Sequence, residues 1–318
     1  MRANATAAAA VVLACAVVGC NKNVSHETKA VEQAPLPGSA ETWTPPPKDA
    51  IDGEGYVDTT PAVAGPVSFA DGEAAYHAKK YGEAVFLFER YIERRPSNPW
   101  GHYMLGLSAW KNGDPVKSEQ AFEAALRLDP SHMKSLINLS RVLIERKRYD
   151  DALEKLTGAG EVDPESPTVP RLMARVHSAR GDFVQAVDAY RRAIALDEFD
   201  AWSMNNLGLL YLEHGFVEDA VPYLAKAVLV KEKVAAFHNN LGMALEHQGR
   251  FVAAAEAYKG ALTVDPGYEK AQRNLVRVEV VKGGPEEPLD IAALARLTDE
   301  DRKVDESQPD VVEDVAAN

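Results

Sequence analysis

The sequence predicts an all-α solenoid of six helix-turn-helix repeats closed by a C-terminal capping helix, and three columns of residues predict it. Between Gly65 and Tyr268 the chain repeats itself every 34 residues with no insertion or deletion. Small residues recur at Gly72, Gly106, Ser140, Ala174, Gly208 and Gly242, and again at Ala84, Ser118, Ala152, Ala186, Ala220 and Ala254. Large ones recur at Phe88, Phe122, Leu156, Tyr190, Leu224 and Tyr258. A small residue lets a second helix approach closely and a large one fills the space beside it, so this register describes a packed helix pair.

The units run 65–98, 99–132, 133–166, 167–200, 201–234 and 235–268, with prolines at Pro96, Pro130, Pro164 and Pro266 marking the stop before the next unit. In the second unit Leu105, Gly106 and Ala109 lie at helical spacing, Gly113 ends that helix and Pro115 opens the next. Gly181, Gly215 and Gly249 hold the place of Gly113 in three other units, whereas the third unit has Ser140 and Lys147 where glycine is usual. Pro167 and Pro170 of the fourth unit are tolerable in the first turn of a helix, and Pro222 lies deeper, where it removes a donor. No unit buries its apolar face alone, so neighbours must stack. Residues 269–284 read as the cap, with Ala271, Leu275 and Val278 on one face before Gly283, Gly284 and Pro285.

The stretches AWSMNNLGLLYLE (Ala201 to Glu213) and AAFHNNLGMALEH (Ala235 to His247), each followed by a glycine turn and a second helix, resemble the tetratricopeptide repeat (TPR) family. The resemblance covers 204 of the 318 residues and implies a right-handed solenoid that binds a protein or peptide in its concave groove. In that family the groove is lined by the flank of each first helix. Carried onto this chain, the flank gives Trp100, Tyr103 and Trp110, then Lys134 and Arg141, then Arg171 and Arg175, and finally Trp202, Asn205 and Asn239. The groove would run from aromatic through basic to amide-lined, suited to a peptide with an apolar end and an acidic middle. Tyr103 and its neighbours Phe69 and Tyr76 serve equally as interhelix packing, and the arginines could instead pair with Glu145 or Asp182. The lysine and asparagine clamp of chaperone-binding members is not matched.

At the N-terminus, residues 1–19 read as a targeting segment, with Arg2 ahead of an apolar run from Ala7 to Val18. Val17-Val18-Gly19-Cys20 resembles a bacterial lipobox, which implies a lipoprotein signal peptide and a mature chain beginning at an acylated, palmitate-bearing Cys20. Cys15 would be removed with the segment, leaving one thiol and no internal disulfide. Asn21 after the cysteine favours the outer membrane, facing the periplasm. Residues 20–64 then form a Pro-rich tether without core-forming composition, and its 44 residues after Cys20 span about 35–40 Å as a flexible coil.

The acidity of the chain, −13 overall, belongs to its ends. Gly283 to Asn318 carries 11 acidic and 3 basic residues, so the tail at 285–318 reads as acidic and mostly disordered, with a short helix between Leu289 and Val304. The repeats and cap are nearly neutral and offer no basic face for nucleic acid. The sequence has no HExxH, no Gly-rich phosphate loop and no GxSxG turn, and its eight histidines are scattered without metal-ligand spacing. The expectation is therefore a membrane-anchored, non-catalytic scaffold or assembly factor of the bacterial cell envelope, with no cofactor or metal. Two narrower forms remain open: a pilotin-like factor for an outer-membrane secretin in type IV pilus assembly, which the repeat number and anchor resemble, and a regulatory subunit of a cell-wall enzyme.

Overall fold

A computed structural model of the chain describes residues 67–281 and 288–297. The targeting segment, Cys20, the tether and the tail beyond residue 297 lie outside the described residues. Within them every regular element is helical. Six pairs follow one another: α1 (Phe69–His77) with α2 (Tyr81–Arg94), α3 (Pro99–Lys111) with α4 (Pro115–Leu128), and α5 (Met133–Glu145) with α6 (Tyr149–Val162). Then come α7 (Thr168–Arg180) with α8 (Phe183–Leu196), α9 (Ala201–Glu213) with α10 (Val217–Val230), and α11 (Ala235–His247) with α12 (Phe251–Val264). Two further helices, α13 (Glu269–Glu279) and α14 (Ile291–Ala295), close the array.

Local chemistry sets these boundaries. Ser68 and Asp71 form a capping box on α1, Asn98 and Asp114 cap α3 and α4 ahead of prolines, and Asp200 caps α9 through the Ser203 N–H. The first helix of most pairs ends in a left-handed residue: Gly113, Gly181, Gly215 and Gly249 have φ of 80°, 82°, 83° and 73°. In the first and third pairs the same place is held by Lys79 and Lys147, both at φ 59°. Lysine therefore takes a conformation that normally selects glycine, because the i−5 hydrogen bond that follows it, from the Arg148 N–H to the Leu143 carbonyl at 2.8 Å, fixes the turn. Pro170 stands in the first turn of α7, and α10 runs through Pro222 without a break.

The predicted columns are the core. Phe88, Phe122, Leu156, Tyr190, Leu224 and Tyr258 are all buried, and Phe88, Phe122, Leu224 and Tyr258 lie against the glycines of their partner helices. Burying one such side chain stabilises the fold by about 1.5–3 kcal/mol. First helices of neighbouring pairs touch one another, α1 with α3, α3 with α5, α5 with α7, α9 with α11 and α11 with α13, while neighbouring second helices make no contact of that extent. A stack that is closer on one side curves toward it, so the first helices form the inner layer and the second helices the outer.

The cap α13 packs on α11 and α12 and ends at Glu279; beyond it Val280 is exposed. The short helix expected in the acidic segment is present but confined to Ile291–Ala295. It is no loose tail: Leu294 and Ala295 are buried in the same core as α10, and the Leu289 N–H donates to Glu256 Oε2 on α12 at 2.7 Å.

Candidate functional site

The aromatic end of the inner layer is an open cavity of about 540 Å³. Its apolar wall comes from Phe69 and Tyr76 on α1 and Trp100, Tyr103, Met104 and Leu107 on α3, and its polar rim from Glu73, His77, Asn98 and Lys134. Three of the residues expected in the groove, Trp100, Tyr103 and Lys134, are thus brought together. The Lys134 ammonium lies 5.1 Å from the centre of the Trp100 ring, a cation–π distance, and Trp100 remains 45% exposed. Tyr103 is buried and stands edge-on to Trp100, and its hydroxyl accepts from Asn138 Nδ2 at 3.4 Å. Phe69 packs edge-on against Phe88 and Tyr91 behind the cavity while still lining it, so it serves packing and surface at once.

His132 packs against two residues of this wall, Trp100 and Tyr103, and is not suggested by any helical column. It caps α5, its Nδ1 accepting from the Ser135 N–H, and its ring lies 4.6 Å from Trp100 and 5.2 Å from Tyr103. Its Nε2 is buried with no hydrogen-bond partner among the described residues. Burial, helped by Lys134 and opposed by Asp129, holds this imidazole below the ordinary histidine range, so it is neutral at pH 7. The signal in the sequence was position alone: a histidine just ahead of Met133, where a serine or aspartate is the usual cap.

Arg141 on α5 and Arg171 and Arg175 on α7 share the next stretch of the inner layer, half-buried. Of the two carboxylates suggested as their partners, Glu145 acts on Arg141 through its charge alone, and Asp182 forms its ion pairs elsewhere. Glu145 accepts from Trp110 Nε1 at 2.8 Å, and Asp182 lies with His177 and Arg180. Arg171 instead reaches Asp200 at 2.8 Å, and Arg141 donates to Asn138 Oδ1 at 3.1 Å. Trp110 is accordingly held by Glu145, with Lys111 over its ring, and does not line the cavity.

The amide end differs from expectation. Asn205 and Asn239 are 0% and 2% exposed, which removes them from any ligand surface. They belong to a ladder between repeats: Asn240 Nδ2 donates to Asn205 Oδ1 and Asn274 Nδ2 to Asn239 Oδ1, both at 2.9 Å. The reason is the column itself: Tyr103 and Ile137 hold the same place in earlier repeats and are buried too, because a side chain there packs toward the neighbouring first helix. Trp202 is also partly covered, packed edge-on to Phe237 at 4.9 Å with Lys231 over its ring. The usable groove is therefore its aromatic and basic two-thirds. Among the described residues no group of three or more His, Cys, Asp or Glu is placed to hold a metal ion.

Comparison with known proteins fits this architecture. A tetratricopeptide repeat model matches residues 103–167 and 205–269, and a second TPR model matches 174–215, so that together they span just over half of the chain. Among curated proteins, the peroxisomal targeting signal receptor of Eremothecium gossypii is 24% identical over 196 residues, covering 62% of this chain and 34% of that one. The chain spans about a third of the length of that relative. Among solved structures, Pseudomonas aeruginosa PilF has a TM-score of 0.55 at 18% identity, covering 65% of this chain and 94% of PilF. The APC/C hetero-tetramer Cut9–Hcn1 gives a TM-score of 0.55 at 16% identity, over 66% of this chain and 42% of that chain. At these identities the likeness speaks for the fold alone.

Proposed function

Because the chain belongs to the tetratricopeptide repeat family, we propose that it is a non-catalytic interaction scaffold whose inner groove holds an extended segment of a partner protein. The observation that carries this reading is the open cavity beside Trp100. An indole left 45% exposed over a mostly apolar hollow is contact area awaiting a partner, and exposed aromatic anchors of this kind dominate interface energetics.

The setting we propose is the bacterial cell envelope, with acylated Cys20 anchoring the chain in the outer membrane and the residues up to 64 giving reach into the periplasm. Pilotin-like assistance to an outer-membrane secretin is the narrower form of this reading, supported by the lipobox resemblance and the repeat number. Cys20→Ser in cells fed a clickable palmitate analogue tests the anchor: loss of label and of membrane pelleting is expected, and retention of both removes it. Photocrosslinking tests the groove. A benzoylphenylalanine at Leu107 should capture a partner that Trp100→Ala releases, while the same probe at exposed Val116 on the outer layer should not. Equal capture from both positions would refute a groove-bound partner.

A further inference from the structure

The basic stretch of the groove carries more positive charge than the protein neutralises. Arg141 and Arg175 occupy the same position in consecutive repeats, so the contact of α5 with α7 sets them side by side, with Arg171 one turn away. Two carboxylates answer the three arginines, and one of them, Glu145, acts on Arg141 through its charge while its Oε2 accepts from Trp110. The other is Asp200, which pairs with Arg171 and is already committed to capping α9 through Ser203. Arg175 Nε is buried without a hydrogen-bond partner among the described residues. Arg141 is held below the ordinary arginine range first by burial and then by the charges of Arg171 and Arg175. Two guanidinium groups kept close, half out of water and under-paired, form a standing demand for an anion.

We propose that Arg141 and Arg175 form a carboxylate-binding subsite, and that the groove's partner is an extended peptide bearing an apolar anchor for the Trp100 cavity and an Asp or Glu about four positions from it. This rests on the reading of the groove as a binding surface. The register follows from the fold: first helices of neighbouring repeats are about 8–10 Å apart, so the way from above α3 to the α5–α7 junction is roughly one and a half spacings, which an extended chain at about 3.3 Å per residue covers in some four residues. Guanidinium matches carboxylate in a bidentate fork, and an acidic side chain laid between the two arginines pairs both and relieves their repulsion. Arg171 is the structural member of the trio, since Asp200 already holds it.

Panning the full chain against a phage-displayed library of random dodecapeptides tests this. Enriched peptides should carry Trp, Phe or Leu with Asp or Glu three to five positions away. The double variant Arg141→Gln/Arg175→Gln, checked for an unchanged or raised melting temperature, should lose the acidic preference, keep the anchor, and bind the best wild-type peptide at least about tenfold more weakly at low salt, the difference narrowing as salt rises. Trp100→Ala should do the reverse, losing the anchor and keeping the acid. Anchors enriched without acidic residues, or an affinity indifferent to the two arginines, overturn the subsite and leave the groove standing. If neither feature is enriched, the subsite and the groove reading fall together.

Discussion

Gly208 and Leu224 meet so closely that a Cβ on the glycine would stand 2.6 Å from Leu224 Cγ and 3.0 Å from the Ala220 carbonyl oxygen. The same relation holds where Gly72 faces Phe88, Gly106 faces Phe122 and Gly242 faces Tyr258, at 2.7, 2.6 and 2.5 Å. A backbone oxygen cannot swing aside as a side chain can, so Gly208→Leu must push α9 and α10 apart. The expected loss is about 1–3 kcal/mol, and because contacts run only between neighbours, it should stay local. Amide hydrogen exchange should show protection falling in α7 to α12 and unchanged in α1 and α2. Uniform loss over all helices would count against a chain of coupled units.

Lys147 offers a change in the opposite direction. Its φ of 59° strains an L-residue by about 1–2 kcal/mol, and glycine removes that strain while giving back about 0.4–1 kcal/mol through a freer unfolded chain. Lys147→Gly should therefore raise stability by about 0.5–1 kcal/mol, read as a higher urea midpoint with an unchanged slope. Lys147→Ala keeps the Cβ and should bring no such gain. Equal midpoints for the glycine and alanine variants would mean that the turn is not strained.

These two sites also mark what could be read from the chain. Gly208 and Leu224 were legible because a small and a large residue at fixed offsets repeat six times, and repetition separates packing from chance. The left-handed turn at Lys147 was legible only as a departure from glycine, since no side chain announces a positive φ. In the groove, Trp100, Tyr103 and Lys134 were legible through the TPR resemblance, which marks the flank of each first helix as groove-lining. The same resemblance misplaced Asn205 and Asn239 on that flank, because both are taken up by hydrogen bonds to the next first helix, a tertiary contact that no spacing announces. His132 and Asn98 come from the turns between units and escape any helical period.

His132 gives a pH dependence. Its folded pKa lies below the unfolded value of about 6.5, so the unfolded chain binds the proton more readily. The corresponding stability is fully present above the unfolded value and is lost as pH falls from there through the folded one. Urea midpoints should therefore drop between pH 7.5 and 5.5. In His132→Asn, which retains a capping side chain, that drop should shrink whatever the absolute stability of the variant. The same fall in both proteins would assign the acid sensitivity to another group.

The last relationship joins the end of the chain to α10. At the outward positions of the second helices the other repeats place Phe86 with Glu89, Gln120 with Glu123, Glu154 with Thr157, Asp188 with Arg191, and Glu256 with Lys259, so each has at least one polar residue. The fifth repeat alone is apolar at both, with Pro222 and Ala225, and both are buried in the region where α14 docks. The acidic segment thus begins with a strap whose seat is written into one repeat. Deleting residues 288–318 should uncover that seat and remove the burial of Leu294, lowering stability by about 2 kcal/mol and raising amide exchange in α10 and α12. Deleting only 298–318 leaves the strap in place and serves as the control. Leu294→Asp should reproduce the larger deletion, since it puts a charge against α10 without shortening the chain. Undiminished protection of α10 in both the 288–318 deletion and the Leu294→Asp variant would show that the outer face of the fifth repeat is stable uncovered and that α14 is not what secures it.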